Sequence, residues 1–183
     1  MSESWQQACD AWRIYSEEMA ALSRHLDPAT WAALMAELRG CKGKIVVTGV
    51  GTSGIAARKI AHMLACVERP AIYLNATDAA HGDLGFVGPD DLVIMLSRGG
   101  NSEELTRLLP GLAMKDTPIL CVTENPASAI ALASRLVIST GVQREIDPLN
   151  MLATTSIVLV LAIFDAACAC LMSESGYSKE TLL

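Results

Sequence analysis

Two stretches of this 183-residue chain combine glycine with hydroxyl side chains: Gly49-Val50-Gly51-Thr52-Ser53-Gly54 and Ser97-Arg98-Gly99-Gly100-Asn101-Ser102. Each follows a short apolar run and opens an amphipathic helical pattern. A loop at a helix start presents unpaired backbone N–H groups and the positive end of the helix dipole. Glycine lets an anion come close to the backbone, and serine and threonine add hydroxyl donors. One such loop is a weak signal, because many strand-to-helix turns are glycine-rich for packing alone. Two of them point to a site for a phosphorylated small molecule, with Gly51, Thr52, Ser53, Ser97, Gly99, Asn101 and Ser102 as candidate contacts. The first loop also has the GxGxxG spacing of a dinucleotide site, which would want an acidic residue about 20 positions on. Asn75 and Asp78 stand near that place, but this reading gives the second loop no role.

Three further groups could do chemistry. His81, in Ala80-His81-Gly82-Asp83-Leu84-Gly85, could act as general acid or base or orient substrate hydroxyls. The plainer alternative is a turn in which Asp83 bonds the local backbone and His81 is solvated. Glu145, in Gln143-Arg144-Glu145-Ile146-Asp147-Pro148, could move a proton between carbons if desolvated, since burial raises a carboxyl pKa. Its alternative is a surface carboxylate paired with Arg144, worth little. Thr154, Thr155 and Ser156 could touch ligand or satisfy the first N–H groups of a helix. His25 and His62 lie in helical patterns and read as structural. Three histidines without clustered carboxylates or thiols imply no metal site.

The elements that must position these groups alternate. Residues 4–23 carry Trp5, Ala8, Cys9, Trp12, Tyr15, Met19 and Leu22 at helical spacing. Asp27-Pro28 reads as an N-cap followed by proline at the first helical position, with a second helix to Arg39 ended by Gly40. Strands are expected at 44–48, 70–75, 91–96, 118–123 and 136–139, with helices from the first loop to Cys66, from the second loop to Met114, and after Pro126. Pro148 is expected to open the last long helix, and Ser178 to cap a short terminal turn. This alternation predicts an α/β fold with a parallel sheet covered on both faces. The expected organisation is one domain over 1–183, with N-terminal helices at 1–40, a doubly wound core at 41–175 and a tail at 176–183.

Composition narrows the classes. The chain is 51% hydrophobic and 4% aromatic, so its core must be built from aliphatic residues. A net charge of −6 argues against a general nucleic-acid binder, which needs a basic face. None of the six cysteines forms a CxxC pair, and most lie in apolar runs, as buried reduced thiols do. No secretion signal is visible at the start, and the expected location is cytoplasmic. Residues 151–172 carry one charge, Asp165, and would be long enough to span a bilayer. Polar interruptions and small residues favour a core helix that also meets another subunit, with no membrane partner.

In order and spacing, Lys44-Ile-Val-Val-Thr-Gly-Val-Gly-Thr-Ser-Gly54, Ala80-His-Gly-Asp-Leu-Gly85, Ser97-Arg-Gly-Gly-Asn-Ser-Glu-Glu104 and Arg144-Glu-Ile-Asp-Pro-Leu149 resemble the sugar isomerase (SIS) domain, most nearly the arabinose-5-phosphate isomerases. The resemblance implies a three-layer α/β/α sandwich with a five-stranded parallel sheet of order 2-1-3-4-5 and an N-terminal helical extension. It implies a phosphorylated sugar as partner, a homodimer or homotetramer, and no cofactor. Ser53, Ser97 and Ser102 would hold the phosphate, with Thr154 and Thr155 near the ligand. Glu145 matches a carboxylate implicated in proton transfer, and His81 a histidine that can reach a neighbouring subunit's site; Asp83 shares its motif. The isomerases usually carry Lys where Thr52 stands, Glu where Asn101 stands and Ser where Gly99 stands, and Arg98 would restore a cation near the phosphate. The implied activity is aldose–ketose isomerisation through a cis-enediol. The alternatives are a non-catalytic phosphosugar sensor and an isomerase of a different phosphosugar.

Overall fold

The computed structural model describes residues 2–176. Helix α1 (Glu3–His25) leads into α2 (Pro28–Gly40), whose start is fixed as the sequence predicts. The Asp27 carboxylate accepts the N–H groups of Ala29 and Thr30 at 2.8 and 3.0 Å, and Pro28 occupies the first turn, where no N–H is needed.

The core alternates strand and helix: β1 (Ile45–Gly49), α3 (Thr52–Cys66), β2 (Ala71–Leu74), α4 (Ala76–Ala80), a 3-10 turn (Asp83–Phe86) and β3 (Leu92–Leu96). Then come α5 (Glu103–Thr106), α6 (Leu109–Met114), β4 (Ile119–Val122), α7 (Ala129–Ala133), β5 (Leu136–Ile138) and α8 (Thr155–Ser175). All strand pairs are parallel, in the order β2-β1-β3-β4-β5. Every residue of β1, β3 and β4 is buried, which is why these strands read as continuous apolar runs rather than alternating ones. The pleat sends alternate side chains to two cores. Ile45, Val47, Ile94 and Val122 face α2, α3 and α8, whereas Val46, Val93, Met95 and Cys121 face the layer holding α4 to α7. Burial pushes the thiols of Cys121 and Cys168 up to about 12 and about 11, as expected of cysteines serving as small hydrophobes. Helix α8 is long and apolar enough to cross a membrane by length and composition, and half of its most apolar stretch is buried within the fold.

Two elements differ from expectation. The single helix expected to reach Met114 is broken into α5 and α6, because Pro110 has no N–H to give the carbonyl of Thr106. The last helix begins at Thr155 rather than at Pro148. The Asp147 carboxylate accepts N–H bonds from Leu149 (2.9 Å), Met151 (3.0 Å) and Leu152 (2.8 Å), folding that segment into a turn. Gly176, at φ 69°, ends α8 in the left-handed conformation. The turn expected at Ser178 lies outside the described residues.

Candidate functional site at the carboxyl edge of β1 and β3

Gly49 and Leu96 are direct partners in the β1–β3 pairing, so the two loops leave the sheet side by side. This is where the winding direction reverses, the position at which doubly wound sheets bind ligands. Gly51, at φ 59°, turns the chain into α3, and no side chain caps that helix. The leading N–H groups of α3 therefore face outward with Thr52 exposed and Ser53 half-buried. The second loop is more tightly tied. Gly100 N donates to Ser97 Oγ at 3.1 Å, and the Ser97 and Ser102 hydroxyls lie 3.0 Å apart. Gly100, at φ 68°, packs so closely on Ser128 that a Cβ would stand 1.9 Å from its hydroxyl. Asn101 ties the loop to α7: its Nδ2 donates to the Gly99 carbonyl at 3.3 Å and its Oδ1 accepts the N–H of Ala129 at 3.0 Å.

Glu145 is desolvated, as the first sequence reading supposes, and is not the surface partner of Arg144 that the second describes. Its side chain has no exposed surface, and its cation is Arg98, not Arg144. Arg144 instead pairs with Glu17. Arg98 Nη1 donates to Glu145 Oε1 at 2.7 Å. The N–H and hydroxyl of Thr154 donate to Oε2, both at 2.9 Å, and Ser156 N adds a third bond at 3.2 Å. Glu145 thus caps the start of α8, where the helix dipole favours an anion. Burial alone raises its carboxyl pKa, but the donors of Ser156 and Thr154 outweigh burial and hold it below the ordinary glutamate range. The expected upward shift is therefore reversed: desolvation is present, yet the hydrogen bonds win.

A narrow cavity of about 40 Å³ opens between these elements, lined among others by Ser53, Ser97, Arg98, Glu124, Thr140 and Ser156. Of the residues singled out in the sequence it brings Ser53, Ser97 and Ser156 together with Arg98, and Ser102 touches Ser97. Gly51, Thr52, Gly99 and Asn101 are exposed and do not line the cavity. Thr154 reaches the site only through Glu145, and Thr155 is fully buried with no hydrogen-bond partner for its hydroxyl among the described residues. His81 and Asp83 are exposed and do not line the cavity. Glu124 and Thr140 went unread in the sequence. Glu124 Oε1 accepts the N–H and hydroxyl of Thr140 at 2.9 and 2.6 Å, clamping the end of β5 to that of β4. Their position just beyond those two strands is the signal that could have found them.

Residues 37–170 match the family model of the SIS domain. The chain belongs to the SIS domain family. Arabinose 5-phosphate isomerase KdsD of Escherichia coli K12 is 39% identical over 140 residues, which are 76% of this chain and 43% of that protein. Arabinose 5-phosphate isomerase GutQ of the same strain is 36% identical over 140 residues, 76% of this chain and 44% of that one. The chain thus spans less than half the length of these curated relatives. Among solved structures, a candidate sugar-phosphate isomerase from Listeria monocytogenes superposes with a TM-score of 0.94 at 38% identity, covering 100% of this chain and 96% of that one. An Escherichia coli CFT073 protein in complex with arabinose 5-phosphate superposes with a TM-score of 0.87 at 30% identity, covering 100% and 97%.

Proposed function

We propose that this SIS domain is a phosphosugar aldose–ketose isomerase, with arabinose 5-phosphate as its first candidate substrate. The observation that carries the reading is the adjacency of the two hydroxyl-bearing loops beside a buried, ionised Glu145, in a chain whose relatives are arabinose 5-phosphate isomerases. The exposed N–H groups of the first loop, with Ser53, Ser97 and Ser102, bind the phosphate. The remote phosphate then positions the reacting carbons. Glu145 Oε1 takes the proton from C2. The C–H electron pair forms the C1–C2 double bond, and the carbonyl pair moves to O1, giving the cis-enediolate. Glu145 returns its proton to C1 as the O2 proton moves to O1 and the O2 electron pair forms the C2 carbonyl, giving the ketose. Oε1 of Glu145, with a single donor, is the oxygen able to accept a proton, and the donors that lower its pKa weaken it as a base, so proton transfer requires the substrate to draw Arg98 toward itself. His81 assists transfer between oxygens, from a neighbouring subunit's exposed turn. Exposed Trp5, Trp12 and Met19 on α1, beside the half-covered α8, support a homodimer or homotetramer. Light scattering at micromolar concentration should give a mass above the monomer.

The test is exchange at the reacting carbon. Incubated with arabinose 5-phosphate in D2O, the protein should exchange the C2 proton and form the ketose, followed by NMR. Saturable binding of five- and six-carbon phosphosugars without exchange would instead support the sensor reading. One observation favours that second reading: Glu145 is wholly enclosed by Arg98 and the start of α8. Exchange with another phosphosugar and none with arabinose 5-phosphate would move the activity to that substrate.

A further inference from the structure

We infer that Arg98 is the cation for the reacting end of the substrate, shared between Glu145 and the substrate oxygen that becomes the enediolate. The inference rests on the isomerase reading of Glu145 and adds the residue that controls it.

Four observations converge on this side chain. Arg98 lines the cavity and is 40% exposed, while the carboxylate it binds is 0% exposed and does not line the cavity. Oε2 of Glu145 already has three donors, so Oε1 is the oxygen available for a proton, and Arg98 Nη1 lies in front of it. The Arg98 main chain is pinned, its carbonyl accepting the hydroxyl of Thr123 and the N–H of Glu124, both at 2.9 Å. The guanidinium therefore swings from a fixed base. Among the described residues that line the cavity, Arg98 is the cation, and the other charged group, Glu124, is an anion committed to Thr140 and Gly141.

Size and charge then give the role. A cavity of about 40 Å³ holds a few waters, well short of a sugar. A sugar needs a lining side chain to move, and Arg98 is long, half-exposed and held at its tip by one bond. A guanidinium has five donors in a rigid fork, of which one is used here, so it can keep hold of Glu145 while reaching a second oxygen. When Glu145 takes the C2 proton it loses its negative charge, and O1 gains one. A guanidinium between them follows the charge with little reorganisation. This places Arg98 at the sugar end rather than beside the phosphate, where the resemblance alone had put it.

Two probes separate the ends: inorganic phosphate, and a phosphosugar hydroxamate that mimics the enediolate. Each is titrated by calorimetry into the wild type, Arg98→Lys, Arg98→Gln and the double variant Arg98→Gln/Glu145→Gln. The double variant guards against unfolding, since Arg98→Gln alone leaves a buried carboxylate unpaired. Replacing Arg98 should weaken the hydroxamate about tenfold or more, as losing a charge-assisted hydrogen bond does, and leave inorganic phosphate unchanged. C2-proton exchange should fall about a hundredfold, the scale of losing one oxyanion donor. Equal weakening of both probes would make Arg98 a phosphate ligand and overturn the inference, as would no weakening of the hydroxamate. If the wild type discriminates the probes through Arg98 but exchanges no proton on any phosphosugar, the isomerase reading fails and the Arg98 contact stands. If Arg98→Gln keeps full exchange, the reading stands and the inference fails.

Discussion

The sheet carries a buried carboxylate–cation pair at each end, and the two pairs differ in how completely the cation is used. At the amino edge, Asp91 accepts Lys44 Nζ, Lys44 N and Gly88 N, all at 2.8 Å. Lys44 Nζ also donates to the Phe86 carbonyl at 2.7 Å and lies 5.5 Å from the centre of its ring. That cation has two anchors on the fold. At the carboxyl edge, Glu145 is as well satisfied as Asp91, but Arg98 spends one donor on it and offers the rest to a cavity. One pair closes the bottom of the sheet; the other leaves capacity facing a ligand. A satisfied carboxylate is thus no guide to function by itself. The unspent capacity of its cation separates the two ends.

Removing each carboxylate should break this comparison in opposite ways. Glu145→Gln is expected to lower C2-proton exchange by about 10²- to 10⁴-fold, the usual share of a general base, while inorganic phosphate still binds. If exchange survives Glu145→Gln, the carboxyl edge is as structural as the amino edge and Glu145 is only the cap of α8. Asp91→Asn should do the reverse. It leaves Lys44 beside a neutral amide and should cost about 3 kcal/mol of folding stability, the lower end for a broken buried pair because Lys44 reaches solvent. Chemical denaturation measures that cost, and turnover per folded molecule should be unchanged.

Acid should strike both pairs below the usual carboxylate range. Burial raises the Asp91 pKa, but hydrogen bonds from Lys44 and Gly88 more than reverse it; for Glu145, burial is likewise overcome by Ser156 and Thr154. A folded-state pKa below the unfolded value gives stability that is present above the unfolded value, about 3.9 for Asp and 4.3 for Glu, and lost as pH falls through the folded one. The melting temperature should therefore hold down to about pH 4 and drop below it. Asp91→Asn should flatten that drop without moving the acid limb of kcat/KM, which follows Glu145 and should lie below about pH 4.3. An acid limb near neutrality would assign the proton transfer to another group.

The frame of this contrast was legible in the sequence, and its outcome was not. Apolar runs ending in glycine-hydroxyl loops located β1 and β3, and Asp27-Pro28 located the start of α2, because caps and fully buried strands leave local marks. The broken helix at α5–α6 was also marked locally, by Pro110, yet its apolar spacing reads through the break. The environment of Glu145 has no local mark. Arg98 and Thr154 are 47 and 9 residues away, and only the closed fold brings both to one carboxylate. Arg144, its neighbour in sequence, goes to the α1 side instead. Desolvation could be guessed from position, but whether hydrogen bonds outweigh it depends on a count of donors that no spacing encodes.

The smallest expected effects separate the two loops themselves. The first closes by contact between its own glycines: a Cβ on Gly54 would lie 2.8 Å from the Gly49 carbonyl oxygen, a backbone atom that cannot step aside. Gly54→Ala should cost about 1–3 kcal/mol by forcing that turn open, and should weaken inorganic phosphate with it. Gly99, in the second loop, has open space around its Cβ position and no left-handed strain. Gly99→Ser should change stability by no more than about 0.5 kcal/mol, as exposed substitutions do. It also adds a hydroxyl donor in the loop that holds Ser97, so inorganic phosphate should bind somewhat more tightly in a calorimetric titration. Unchanged stability with weaker phosphate binding would mean that this part of the loop faces something other than the anion. The phosphate would then belong to the first loop alone, and the adjacency of the two loops would no longer support the phosphosugar reading.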